Sequence, residues 1–147
     1  MKLSTKCRYG ARAMLEIARN HAIGISTKRK DITANQGIPS SYLENILIDL
    51  RDYGLVTTIR GPKGGFRLSR APEQITMYDI IHALRGTDAL NAECLEEGYD
   101  CAKKGSCITR QVWSATQNAQ DQVLLGITLK TLIHSDGSGL DKLEYVI

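Results

Sequence analysis

Apolar residues recur along the chain at spacings that change in a definite order. From Arg8 to Asn20, Ala11, Met14, Leu15 and Ala18 fall on one face of a 3.6-residue repeat and predict a first helix over about 8–20. The segment "STKRKDITANQGIP" predicts a short second helix ending at Gly37, with Pro39 opening the next element. In "SSYLENILIDLRDYG", Leu43, Ile46, Leu47 and Leu50 keep the i, i+3, i+4, i+7 rule and Gly54 supplies a stop, so a third helix is expected over about 41–53. The pattern then shortens. "LVTTIR", "GPKGG" and "FRLSR" predict two short strands joined by a glycine-rich, lysine-bearing loop, a hairpin within 55–70.

Helix, turn, helix and basic hairpin in that order predict a winged helix: a mainly α fold with a small β-hairpin, a DNA-binding unit over 1–85. With 147 residues and 42% hydrophobic content, the chain can bury one core, or a small domain plus an extension. Charge sharpens this. Residues 1–70 carry thirteen Lys and Arg against five Asp and Glu, whereas residues 71–147 carry six against eleven. A basic half of this kind calls for an anionic partner, and double-stranded DNA is the expected one. The N-terminus lacks a continuous apolar signal region and no stretch approaches 18 apolar residues. A soluble, cytoplasmic protein with no membrane partner is therefore expected. No G-x-S-x-G, phosphate-binding G-x-x-x-x-G-K or Cys–His pairing is present, so no enzyme is expected.

The third helix is the candidate recognition helix. Its leucine and isoleucine stripe faces inward, which leaves Ser41, Tyr42, Asn45, Ile48 and Asp52 on the other side. Ser41 and Asn45 can hydrogen-bond base edges or phosphates, and Tyr42 can reach a phosphate through its hydroxyl. Ser41 and Glu44 fit the S-x-x-E capping box, expected as the main role of Glu44. The same carboxylate could also accept from a cytosine amino group. Lys28 lies in the basic run before the second helix, and Arg60 and Lys63 flank the wing glycines. All three are candidate phosphate contacts, with a solvated basic surface as the plain alternative.

Cys94, Cys101 and Cys107 lie within "AECLEEGYDCAKKGSCITR", while Cys7 is distant. Three is an odd number for a disulfide framework, and in a reducing compartment clustered cysteines are more often ligands or redox centres. The gaps are too wide for C-x-x-C zinc knuckles but suit a loop wrapped around an iron-sulfur cluster. Spacing alone leaves cluster, zinc and unligated thiols open.

Taken together, "MKLSTKCRYGARAML", "GIPSSYLENIL", "LVTTIRGPKGGFRLSR" and "ITMYDIIHALRG" resemble, in order, the IscR and NsrR (Rrf-type) family of bacterial transcription regulators over roughly residues 1–134. The resemblance implies a homodimeric regulator, a repressor, that senses redox state, nitric oxide or iron-sulfur status. It implies a cluster-binding cysteine loop over 86–107, whose ligands are Cys94, Cys101 and Cys107. The cluster would be 2Fe–2S, with 4Fe–4S as the alternative. A dimerisation helix, "SCITRQVWSATQNAQDQVLLGI", and a short terminal helix, "TLKTLI", would complete 108–134, leaving 135–147 as a tail. A cluster-free, thiol-based or partner-controlled regulator of the same fold is the alternative.

The fourth ligand departs from the pattern. IscR-like members place a histidine three residues after the third cysteine, where Arg110 stands here. NsrR-like members use an aspartate near the start of helix 1 of the partner subunit, where Arg8 stands. Cys7, at a position usually glycine in the family, could serve a partner's cluster or simply pack. Glu96, Glu97 and Asp100 are further oxygen donors. His82 is expected to pack or bond the backbone, and Trp113 to lie in a core or dimer interface.

Overall fold

The computed structural model describes residues 3–85, 93–95 and 98–135. Six α-helices and one hairpin are present among them: α1 (Thr5–Ala22), α2 (Arg29–Gln36), α3 (Ser40–Asp52), β1 (Val56–Ile59), β2 (Gly65–Leu68), α4 (Met77–Arg85), α5 (Ile108–Leu125) and α6 (Leu129–His134), with single 3₁₀ turns at Pro72–Gln74 and Glu93–Leu95. The mainly α, winged-helix expectation holds.

Helix α1 starts earlier than its apolar periodicity alone predicts, because the Ser4 hydroxyl accepts from the Cys7 amide and fixes the first turn. Cys7, Gly10, Ala13, Met14, Ile17 and Ala18 form its buried face. At Gly10 a Cβ would lie 2.0 Å from Leu84 Cδ1, so any larger residue would have to displace the Leu84 side chain from the α1–α4 contact. Helix α2 stops in left-handed backbone at Gly37 (φ 61°), as the turn between the two helices requires. Leu43, Ile46, Leu47 and Leu50 of α3 are all buried, which is the predicted stripe. Ile80, Ile81 and Leu84 of α4 close the same core.

Strands β1 and β2 pair antiparallel from Val56–Leu68 to Ile59–Gly65, and only the Val56–Leu68 end is buried. Helix α4 opens on a reciprocal capping box: the Thr76 amide donates to Asp79 Oδ2 (2.8 Å) and the Asp79 amide to Thr76 Oγ1 (3.1 Å). The chain after α5 then returns to the winged half. The Met77 amide donates to the Ile127 carbonyl and the Leu129 amide to the Ile75 carbonyl, while Leu129 is wholly buried in the core. Helix α5 itself buries no residue. No helix among the described residues is long and apolar enough to cross a membrane.

Candidate nucleic-acid interface and cysteine loop

Because α3 turns its leucines inward, a 3.6-residue repeat sets Ser41, Asn45, Ile48 and Asp52 on the opposite side, and all four are exposed. Ile48, 39% exposed in a polar stripe, offers an apolar contact of the kind a thymine methyl takes. The expected Ser41–Glu44 capping box is not formed. Pro39, with φ preset at −56°, precedes the helix, which begins at Ser40, so Ser41 already lies inside it and no side chain caps it. The Glu44 carboxylate pairs instead with Arg29 of α2 at 2.7 Å.

Two further contacts hold the outer face of α3. The Tyr42 ring meets Tyr9 of α1 edge-on, with centroids 5.8 Å apart, and the Arg12 guanidinium lies over Tyr9. Arg12 in turn donates to the side chain and carbonyl of Gln36, so Tyr42 is braced from α1 and α2 together. Beside it, Asn45 shares a shallow hollow with Lys6 and Asp49, which form an ion pair at 2.7 Å.

The wing is seated against the start of α2. The Thr27 amide donates to the Phe66 carbonyl and the Phe66 amide to the Thr27 carbonyl, adding one bridge to the free edge of β2. A Cβ on Gly65 (φ 153°) would stand 2.6 Å from the Thr27 oxygen, so this seat requires glycine. Lys28 and Lys63 are thereby brought to one hollow together with Arg67. Arg60 is exposed at the end of β1 and does not line that hollow.

The described cysteines of the loop are half-buried and carry free thiols. Cys94 sits on the 3₁₀ turn, and Cys101 opens a turn closed by the Lys104 amide. Cys107 stands immediately before α5, its Sγ 3.2 Å from the Thr109 hydroxyl. That hydroxyl and then the Arg110 backbone amide hold its thiol below the usual range. Three thiols suit iron-sulfur ligation in kind, yet no three His, Cys, Asp or Glu among the described residues form a ready metal-binding group. Glu96 and Glu97 lie outside the described residues, and Asp100 is exposed.

Cys7 is only 3% exposed and belongs to the core, on one stripe with Gly10, Met14 and Ala18. Its burial supports packing rather than donation to a partner's loop. His82 is exposed and stacks its ring on Tyr78 at 4.5 Å, and Trp113 is 48% exposed on α5. The residues that local spacing did not disclose are Tyr9, Arg12 and Arg67. Each acts through a partner on another element, such as the Gly24 carbonyl that accepts from Arg67 across 43 residues. Periodicity carries no mark of such pairings.

Comparison with known proteins places this geometry among regulators. The family model described as Rrf2, iron-dependent transcriptional regulator, matches residues 3–135. The HTH-type transcriptional regulator CymR of Bacillus subtilis is 38% identical over 138 residues, covering 93% of this chain and 94% of that protein. The solved structure of CymR, the global cysteine regulator of B. subtilis, superposes with a TM-score of 0.73 at 34% identity, covering 90% of this chain and 96% of CymR. The structure of T. potens IscR gives 0.72 at 33% identity, covering 90% and 86%.

Proposed function

Because the chain belongs to the Rrf2 family of transcriptional regulators, we propose that it binds operator DNA as a cytoplasmic homodimer and that its cysteine loop sets the affinity. It is a regulator and not an enzyme. The observation that carries the DNA reading is the outward stripe Ser41, Asn45, Ile48 and Asp52 on a helix whose other side is locked into the core. That helix enters the major groove, where Ser41 and Asn45 read base edges. Tyr42, Arg60, Lys63 and Lys28 meet phosphates. Glu44, held by Arg29, accepts from a base amino group if the pair opens.

Helix α5 supplies the dimer. Ile108, Val112, Ala115, Ala119 and Val123 lie on one stripe, and its large members Ile108, Val112 and Val123 are 76%, 52% and 39% exposed. An antiparallel copy centred on Ala115 and Thr116 sets Ile108 against the partner's Val123 and Val112 against the partner's Ala119. The small central residues permit close approach.

Cys94, Cys101 and Cys107 are the thiolate donors proposed for an iron-sulfur cluster, which supplies chemistry sensitive to oxidants, nitric oxide and iron supply. They lie between α4, packed on the recognition helix, and α5, so gathering or releasing the loop biases how two recognition helices are spaced. Repression follows where the operator overlaps a promoter. A second reading, direct thiol chemistry at Cys107 without metal, draws on the Thr109 hydroxyl 3.2 Å from its Sγ and the lowered thiol range that follows.

Anaerobic isolation with absorption, iron and sulfide determination separates the two readings: coloured protein with iron and sulfide supports the cluster, and colourless, metal-free protein supports the thiol. Selection from a random duplex pool tests DNA binding. A pseudo-palindrome with half-sites about one or two helical turns apart is expected, and a pool without enrichment would overturn the reading.

A further inference from the structure

Building on the DNA-binding reading, we infer that the hollow between the wing and the start of α2 seats one backbone phosphodiester in each half-site, held jointly by Lys28, Lys63 and Arg67. These three cations line it with Ser26, Ile25 and Pro62, and no carboxylate does. None of the three has an acidic partner among the described residues, whose ion pairs occupy Lys6, Arg29, Arg51 and Lys130 instead. Arg67 is oriented from behind, donating through Nη2 to the Gly24 carbonyl, while its buried Nε has no hydrogen-bond partner. The guanidinium lines the hollow beside two lysines with no carboxylate to neutralise them, a concentration of positive charge that an anion relieves.

The neighbouring backbone favours the same ligand. No side chain caps α2, and neither Asp31 of its first turn nor Glu44, which pairs with Arg29, lines the hollow, so the helix's positive end adds to the field there without a competing carboxylate. The reciprocal Thr27–Phe66 bonds fix wing and helix to each other, so the site is built before DNA arrives. Ile25, 53% exposed, and Pro62 form apolar walls, which suit the deoxyribose beside a phosphodiester and offer nothing to a free phosphate ion. Arg67 thereby joins the interface, and the angle of the wing is read by the position of one phosphate.

The test is a scan of the selected operator in which single phosphates are replaced by neutral methylphosphonates. The expected result is one position per half-site where wild-type affinity falls roughly tenfold and the salt slope falls by about one. In Lys63→Ala, an exposed loop change that leaves the wing's seat intact, the same replacement should cost little while losses elsewhere persist. Arg67→Gln should show the same selective insensitivity, with the fold checked by circular dichroism. Inorganic phosphate at constant ionic strength should not compete. Equal methylphosphonate losses in wild type and Lys63→Ala at every position would overturn the inference while leaving DNA binding standing. Competition by free phosphate would assign the hollow to a small anion and overturn it too. Absence of any operator binding would remove the underlying reading and this inference with it.

Discussion

Helices α3 and α5 are both amphipathic, but they spend their apolar sides differently. In α3, Leu43, Ile46, Leu47 and Leu50 vanish into the chain's own core and a polar stripe is left outside. In α5, no residue is buried, and Ile108, Val112, Trp113, Val123 and Leu125 remain in water. The first helix is finished within one chain and is free to serve a ligand. The second stays incomplete until another surface covers it. Charge separates them as well: α3 lies in the basic half of the chain, whereas α5 carries one Arg and one Asp and is neutral.

The largest effect should come from breaking α5. Val112→Asp places an unpaired charge in each half of the seam, a cost of roughly 3–5 kcal/mol per buried charge. Sedimentation should show monomers at concentrations where wild type is dimeric, with the helical circular dichroism kept. An unchanged dimer would move the interface elsewhere. Next comes Leu50→Ala in α3, expected to lose about 2–5 kcal/mol of folding stability by denaturant titration. The matched change Val123→Ala on α5 should barely alter the stability of a monomeric variant. Equal losses at both sites would erase the contrast between the helices.

On the outward side of α3 the effects are smaller and differ in kind. Asn45→Ala should relax discrimination between operator and nonspecific duplex by about 1–3 kcal/mol. Lys63→Ala should weaken all sequences alike and flatten the salt dependence. If both substitutions lowered specific and nonspecific affinity equally, the division into base reading and phosphate contact would fall. The smallest effect concerns the ion pair of Glu73 and Lys130 (2.8 Å), which ties α6 to the 3₁₀ turn before α4. The hydrogen bond from Lys130 holds the Glu73 carboxyl below its ordinary value. A depressed folded value means that its contribution is present above the ordinary carboxylate range and is lost as pH falls through the folded value. Glu73→Gln should therefore lower the melting temperature slightly near neutrality. The two proteins' curves should converge in acid, and a constant gap at all pH would show that the pair does not titrate as described.

How much of this could be read from residues alone depends on the range of the interaction. The core stripe of α3 and the hairpin at Val56–Leu68 follow from local spacing, which the chain displays directly, whereas the terminal helix at Leu129–His134 was expected from the family resemblance. The start of α1 lay three residues earlier than its periodicity because a cap is a polar feature, carried by Ser4 and invisible to a hydrophobic repeat. Glu44 was misread for the opposite reason. A local motif, S-x-x-E, was present, but Pro39 had already set the helix start and Arg29 claimed the carboxylate. Tyr9, Arg12 and Arg67 gain their roles only once distant segments meet. For the cysteines, residue identity discloses thiol chemistry, while Arg8 and Arg110 stand at the two positions where the resembled family places a fourth ligand, so the sequence supplies no complete donor set.

The central claim is that the cysteine loop, placed between the DNA-reading half and the dimer helix, governs operator affinity. Its most direct test is a single titration of the selected operator with anaerobically isolated protein, repeated after chelation has removed the bound iron, with Cys94→Ala, Cys101→Ala and Cys107→Ala alongside. The account predicts that stripped protein and all three variants lack iron and share one affinity, which differs at least tenfold (about 1.4 kcal/mol) from that of the loaded protein. Identical operator affinity in loaded, stripped and cysteine-free forms, or full iron content in any of the variants, would contradict it.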